Sequence, residues 1–171
     1  LCDGLRHAAD IGDLSRPVRC TWQILGAPGS RVPASCGVEV SVQAPLSLQQ
    51  RYDYVAVIGG LLSDLGAVDS SYNRFVQQCV TEGIPLIGVC TGSFVLAKLG
   101  LMGTRTSCVH AYHAEDWERE FPQLPYVTNQ HYLRDRDRIT CAGGVSIIEM
   151  TAELVRLHCG ESLAAKVIHQ M

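Results

Sequence analysis

Two short apolar runs constrain this chain more than any other feature. Tyr54–Ile58 reads YVAVI and stops at Gly59-Gly60, and Ile84–Val89 reads IPLIGV and stops at Cys90-Thr91-Gly92. Neither run alternates apolar with polar residues, so each calls for cover on both faces, as strands of a parallel sheet do. Between them Asp69 can cap a helix that runs to about Glu82, with Gly83 to end it. Strand, helix, strand in this order predicts an α/β sandwich with a mainly parallel sheet and both runs at its centre.

The rest of the chain continues the pattern. Leu1–Ile11 reads as a helix with Leu5, Ala8 and Ala9 on one face, and nothing before it to cap it; a preceding strand is expected upstream. Thr21–Leu25 and Val38–Val42 read as strands around the turn-rich segment Gly26–Gly37. Gly92–Leu99 reads as a helix closed by Gly100, Thr106–His110 as a strand, and Ala114–Glu120 as a short helix. Tyr132–Arg134 and Ile139–Ala142 form an expected hairpin around the polar tip Asp135-Arg136-Asp137. Two helices, Ile147–His158 and Glu161–Met171, are separated by Gly160. No repeat or low-complexity stretch interrupts the series.

Composition excludes several classes. At 171 residues and 47% apolar, the chain suits one domain with a buried core. Fourteen basic residues face seventeen acidic ones without a Lys/Arg block, so the chain itself carries no nucleic-acid footprint. No apolar run approaches the ~20 residues of a membrane span. The first residue is Leu1, so the natural start is expected upstream. The eight cysteines (Cys2, Cys20, Cys36, Cys79, Cys90, Cys108, Cys141 and Cys159) show no C-x-x-C pair and no zinc spacing. We expect no metal, no cofactor and a reduced, cytoplasmic protein whose cysteines mostly pack as small hydrophobes.

Cys90 is the expected exception. Gly88-Val89-Cys90-Thr91-Gly92 places it between a buried strand and a helix, the layout of a nucleophile elbow with sulfur in place of oxygen. Its place at a helix start favours a thiolate. His110 ends the next expected strand and is the candidate partner, with His113 as competitor. The N–H groups of Gly59 and Gly60 can join that of Thr91 to hold an oxyanion or a ligand carboxylate. Glu115, Asp116 and Glu149 are candidate acids, none at a convincing spacing to orient His110.

The strings IGVCTGSFVLAKLGLM, CVHAYHAEDWEREFP and ITCAGGVSIIEMTAELV resemble the amino-terminal domain of AraC-type transcriptional regulators. That domain is of the DJ-1/PfpI (ThiJ) superfamily. The resemblance covers nearly the whole chain. It implies a flavodoxin-like, class I glutamine amidotransferase-like fold over residues 1–171, with Cys90 at the elbow and His110 matching the histidine of a T-H-W stretch. Here that stretch reads Cys108-Val109-His110-Ala111, and Glu149 stands where relatives usually carry Asp. The resemblance further implies a small effector, amino-acid-like or a quaternary amine, bound around Gly59, Gly60, Cys90, Thr91 and His110. It implies a homodimer, and DNA binding through a helix-turn-helix part beyond Met171. Trp117, Tyr112 and Tyr126 offer aromatic faces for a cation. The rival reading is a cysteine-dependent hydrolase or hydratase of the same superfamily (an amidase, a protease-like enzyme or one like isonitrile hydratase) with Cys90 as nucleophile and His110 as its partner. A glyoxalase or chaperone-like protein is a third.

Overall fold

The computed structural model describes residues 1–12, 14–67 and 69–171. The chain packs as two compact units, one made of Leu1–Gln23 with Gly144–Met171, the other of Ile24–Gly143. Helix α1 (Cys2–Ala8) opens the first unit. It stops three residues short of the expected Ile11 because Asp10 turns its carboxylate onto the backbone ahead. Asp10 Oδ1 accepts from the N–H of Leu14 at 3.0 Å, and Oδ2 from that of Arg16 at 2.9 Å. A side chain that captures backbone donors in this way competes with the helix.

The second unit holds the sheet. Strand β1 (Leu25–Gly26) is followed by an antiparallel pair, β2 (Arg31–Pro33) and β3 (Glu39–Ser41), and then by β4 (Ala44–Pro45), which pairs parallel with β1. The expected strand over Thr21–Leu25 is thus a strand only at its last residue, with the Ile24 carbonyl before it accepting from the Gln43 N–H at 2.8 Å, while β2 lies hidden in a segment read as turns. Next come β5 (Val55–Ile58), α2 (Ser70–Thr81), β6 (Leu86–Val89) and α3 (Gly92–Lys98). They are followed by β7 (Ser107–Cys108), α4 (Ala114–Glu120), β8 (Tyr126–Val127) and the hairpin of β9 (Tyr132–Asp135) with β10 (Arg138–Cys141). Asp69 caps α2 as its position predicts, accepting from the Ser71 N–H at 2.7 Å. Gly83 leaves it at a φ of 73°.

The main ladder runs β5-β6-β10-β9, parallel except for the β9–β10 hairpin. An α/β arrangement with a mainly parallel sheet is therefore what the chain adopts. One expectation needs correcting. Strand β6 is central and buried at every residue, but β5 ends the ladder among the described residues, and its Ile58 is 61% exposed. A second correction concerns Thr106–His110. Only Ser107–Cys108 is a strand, and it pairs with β8 rather than joining the main ladder. Beside β10 a side chain stands in for a ladder bond: the Cys108 N–H donates to Thr140 Oγ1 at 2.7 Å.

The core of this unit is one cluster. Val55 and Leu86 of the sheet meet Phe75, Val76 and Cys79 of α2, Phe94, Leu96 and Ala97 of α3, and Trp117 of α4. Trp117 and Phe94 are buried and pack edge to face at 5.0 Å, Trp117 and Phe121 at 4.9 Å. In the first unit, α1, α5 (Ser146–Cys159) and α6 (Glu161–Gln170) close around Ala8, Ala152, Val155, Leu163, Ala164 and Val167. No helix among the described residues is long and apolar enough to cross a membrane.

A charged network ties the hairpin tip to the turn after α3. Asp135 accepts from the Thr106 N–H at 2.8 Å, Arg105 Nε meets Asp137 at 2.6 Å, and buried Arg138 donates to the Leu101 carbonyl at 2.9 Å. The donated Thr106 N–H, with the Arg136 guanidinium beside it, holds the Asp135 carboxyl below its ordinary 3.8. A carboxyl depressed by folding stabilises the fold above its unfolded value, and loses that contribution as pH falls through the folded value. Asp135→Asn should therefore lower the melting temperature at pH 7, and the gap to the parent should close as the pH is brought below 3.8. Melts across that range, followed by circular dichroism, check it; a gap that stays constant would defeat it.

Candidate functional site

The site begins with a backbone fit. Val57 and Gly59 of the β5 end lie so close to the start of α3 that neither Gly59 nor Gly92 has room for a side chain. A Cβ on Gly92 would stand 2.1 Å from the Val57 carbonyl oxygen, and one on Gly59 would stand 2.4 Å from the Gly92 nitrogen. Both obstacles are backbone, which no rotamer change can move. A Cβ on Gly88 would stand 3.0 Å from the Ser93 backbone, a third tight contact. The glycines read as elbow residues from the sequence are thus positions of close approach between strand and helix.

Cys90 sits where this fit forces the chain to turn. Its φ is 55°, in the left-handed region that residues with a side chain rarely enter. Its N–H donates to the Cys141 carbonyl at 3.1 Å, and its carbonyl accepts from Ser93 Oγ at 2.9 Å. The thiol is half-buried. Gly143 closes it from the other side. A Cβ there would come within 2.8 Å of the Cys90 sulfur, and the residue's φ is 90°. Thr91 is buried and donates its hydroxyl to the Gly60 carbonyl at 2.7 Å, which clamps the glycine pair to the elbow.

The expected donors are only partly available. The Gly59 N–H is spent on the Val89 carbonyl at 3.0 Å, as the β5–β6 ladder requires. This corrects the expectation that it faces a ligand. The N–H groups of Gly60 and Thr91 have no acceptor among the described residues.

The histidines divide differently from the sequence reading. His110 is exposed, and its Nδ1 accepts from the Tyr112 N–H at 3.1 Å, capping a single helical turn. Among the described residues no hydrogen bond joins it to the Cys90 thiol. The strand before it, β7, pairs with β8, and the place beside β6 is taken by β10. His113 packs edge-on against Phe94 of the elbow helix, with ring centroids 6.1 Å apart. Its Nδ1 lies 3.2 Å from Asp116 Oδ2. Arg119, and then His113, hold the Asp116 carboxyl below its usual range. So Asp116, one of three candidate acids, orients His113 and not His110. Glu115 and Glu149 are exposed. The aromatic candidates scatter: Trp117 is fully buried, Tyr112 is 83% exposed, and the Tyr126 hydroxyl donates to Glu118.

Cys141 and Gly143 were not singled out as site residues from the sequence. Their one signal was the C-A-G-G string that follows an apolar strand. An open cleft lies elsewhere, at the amino ends of β5 and β6. It spans about 510 Å³ between Gln49, Arg51, Asp53 and Glu82. Half-buried Leu48, Tyr52, Ile84 and Pro85 also line it, and we place the chemistry at the carboxyl ends of the strands, where α/β sheets bind ligands.

Two substitutions separate a close-approach glycine from an ordinary one. Gly92→Ala should cost about 3 kcal/mol or more in urea unfolding, because the clash is with backbone. Gly60→Ala meets nothing within 4 Å and should cost well under about 1 kcal/mol. Equal costs would defeat the fit described above. The thiols make a second test. Burial pushes Cys79 and Cys108 up to about 11 and raises Cys141, so these three should react slowest with limiting iodoacetamide. We expect Cys90, presented on a strained turn, to be labelled first. Faster labelling of exposed Cys2 or Cys36 in the folded chain would defeat that expectation.

Comparison with known proteins identifies the fold and the family. The chain is 32% identical over 149 residues to the HTH-type transcriptional regulator CdhR of Pseudomonas aeruginosa, a match covering 87% of this chain and 44% of that protein. The chain spans half or less of the length of the curated regulators CdhR, GbdR and GlxA that it matches. Among solved structures, an AraC family transcriptional regulator from Pseudomonas putida superposes with a TM-score of 0.77 at 24% identity, covering 98% of this chain and 88% of that one. Drosophila melanogaster DJ-1beta superposes with a TM-score of 0.77 at 19% identity, covering 98% and 86%. These likenesses identify the fold as flavodoxin-like α/β. The profile of the DJ-1/PfpI family matches residues 17–157, and the chain belongs to the DJ-1/PfpI family.

Proposed function

We propose that residues 1–171 are the effector-sensing domain of an AraC-type transcriptional regulator. The observation that carries this reading is that a named HTH-type regulator aligns with 87% of the chain. On this reading the crevice around Cys90 binds a small metabolite, with the Gly60 and Thr91 N–H groups donating to its carboxylate and His110 at the rim. The effector is a carboxylate or zwitterion, amino-acid-like or a quaternary amine. DNA is bound by a helix-turn-helix part outside this chain, and the protein works in the cytoplasm as a homodimer. The way His110 spends its Nδ1 on its own backbone supports sensing, since a nucleophile needs its base turned toward it.

One observation favours the second reading, a cysteine-dependent hydrolase or hydratase. Cys90 occupies the strained backbone conformation of a nucleophile elbow. A thermal-shift screen of small carboxylates and zwitterions decides between the two. For a sensor, a ligand at ~100 times its dissociation constant adds ~2.7 kcal/mol, a rise of roughly 5–10 °C for a domain of this size. The ligand should be recovered unchanged, and Cys90→Ser should keep most of the shift because the backbone donors remain. Consumption of the hit at ~1 per second or more, abolished by Cys90→Ser, would establish the enzyme instead.

A further inference from the structure

Two thiols meet in the three-helix unit. Cys20 and Cys159 are both half-buried and unbridged, and both pack against the one apolar cluster of Ala8, Ala152, Val155, Leu163, Ala164 and Val167. Cys159 is the last residue of α5, and Gly160 behind it turns at a φ of 92° into α6. Cys20 reaches the cluster on the segment that returns along α1. The Val18 and Arg19 N–H groups donate to the Ala9 carbonyl at 3.2 and 2.8 Å, and the Cys20 thiol donates to the Leu5 carbonyl at 3.2 Å. Leu5 packs against the same cluster. Burial, and then the nearby Cys159 sulfur, push the Cys20 thiol above its ordinary 9.0, so a charge on one sulfur is felt at the other. Among the described residues Cys20 takes no part in a backbone hydrogen bond, so its Cα can shift toward Cys159 without breaking one.

Two thiols on one apolar face, one fixed by a helix and one on a segment able to move, have what a reversible bridge requires. We propose that Cys20 and Cys159 form a disulfide by exchange with a low-molecular-weight disulfide such as oxidised glutathione, and that this bridge is a redox clamp on the three-helix unit. The steps balance. The Cys159 sulfur, losing its proton, attacks one sulfur of the small disulfide; the S–S bond breaks and one small thiol leaves with that proton. The Cys20 sulfur, losing its proton, then attacks the Cys159 sulfur of the mixed disulfide, and the second small thiol leaves. Two protein thiols give up two electrons and two protons, and one small disulfide becomes two thiols. Cys20 acts second because burial keeps its thiol protonated and its S–H is committed to the Leu5 carbonyl. The same exchange in reverse reopens the bridge. In a reducing compartment a bridge of this kind is transient and follows the thiol–disulfide balance. When it closes, Ile24–Gly143 lies wholly within the loop it makes. A cross-link over so long a loop removes much of the freedom of the unfolded chain. It also fixes the joint from which α6 runs to Gln170. The elbow thiol takes no part, so loss of effector binding would leave the bridge untouched.

The test incubates the reduced full chain in glutathione buffers of graded oxidised-to-reduced ratio, blocks the remaining thiols with N-ethylmaleimide, and maps the peptides by mass spectrometry without reduction. The expected product is one linked pair carrying Cys20 and Cys159, lost on treatment with dithiothreitol. By circular dichroism the bridged chain should melt about 5–15 °C above the reduced chain. In Cys20→Ser the linked pair should vanish, and glutathione held at Cys159 should rise at least about fivefold, since nothing displaces it. Cys2→Ser, at the exposed start of α1, should leave the bridge in place. Should Cys20→Ser fail to fold, the parent decides alone: glutathione at Cys159 without a Cys20–Cys159 bridge overturns the proposal. So does a bridge from Cys159 to Cys2, or a Cys20–Cys159 bridge that leaves the melting temperature unchanged.

Discussion

Everything at the carboxyl end of this sheet depends on backbone touching backbone. The Val57 carbonyl occupies the space a Cβ of Gly92 would need, and the Gly92 nitrogen occupies the space a Cβ of Gly59 would need. Helix α3 can start this close to β5 only because both positions are bare. The approach leaves two residues, Cys90 and Thr91, between β6 and α3, and the chain reverses at Cys90, whose φ is 55°. Its strain is held by bonds on either side: N–H to Cys141, carbonyl to Ser93, and the Thr91 hydroxyl across to Gly60. A strained residue persists where its surroundings over-determine it, and here three strands and a helix do so.

How much of this was legible in the sequence depends on whether a local rule governed each element. Helix α2 was read to within a residue at each end, because Asp69 and Gly83 act through bonds inside the helix itself. The hairpin around Arg136-Asp137 and the break at Gly160 were legible for the same reason. Strand β2 was not. Arg31–Pro33 carries turn residues on both sides and is a strand only because β3 lies opposite it. The placement of β5 at the ladder's end and of β7 outside the ladder are facts about neighbours, and one chain read alone does not name its neighbours. The elbow was legible as a string. The fate of its donors was not, since only pairing tells that Gly59 gives its N–H to Val89 while Gly60 does not.

The histidines make the same point about sites. Residue type and order favoured His110 over His113, three residues on. In the fold His110 caps the turn that begins with the next residue, while His113 reaches the elbow helix through Phe94 and takes Asp116 as its partner. A side chain's nearest claimant is often its own backbone, and sequence spacing gives that claim no weight. The same holds for Trp117, whose indole serves the core and donates to the Leu124 carbonyl at 3.3 Å.

The ladder order also bears on how the elbow is assembled. Strands β9 and β10 meet across a two-residue turn, so their pairing closes only a short loop. The pairing of β10 with β6 joins residues about fifty apart and brings α3, β7 and α4 with it. Contacts of such long sequence separation are the slow ones in folding. The Cys141 carbonyl that accepts the Cys90 N–H arrives on β10, so the elbow gains its last support only when that distant strand docks. Until then, Val89 and Cys90 belong to a chain with a sharp bend and no acceptor for its amide. A strained residue is thereby completed by a contact about fifty residues away in sequence, and the site forms together with the sheet.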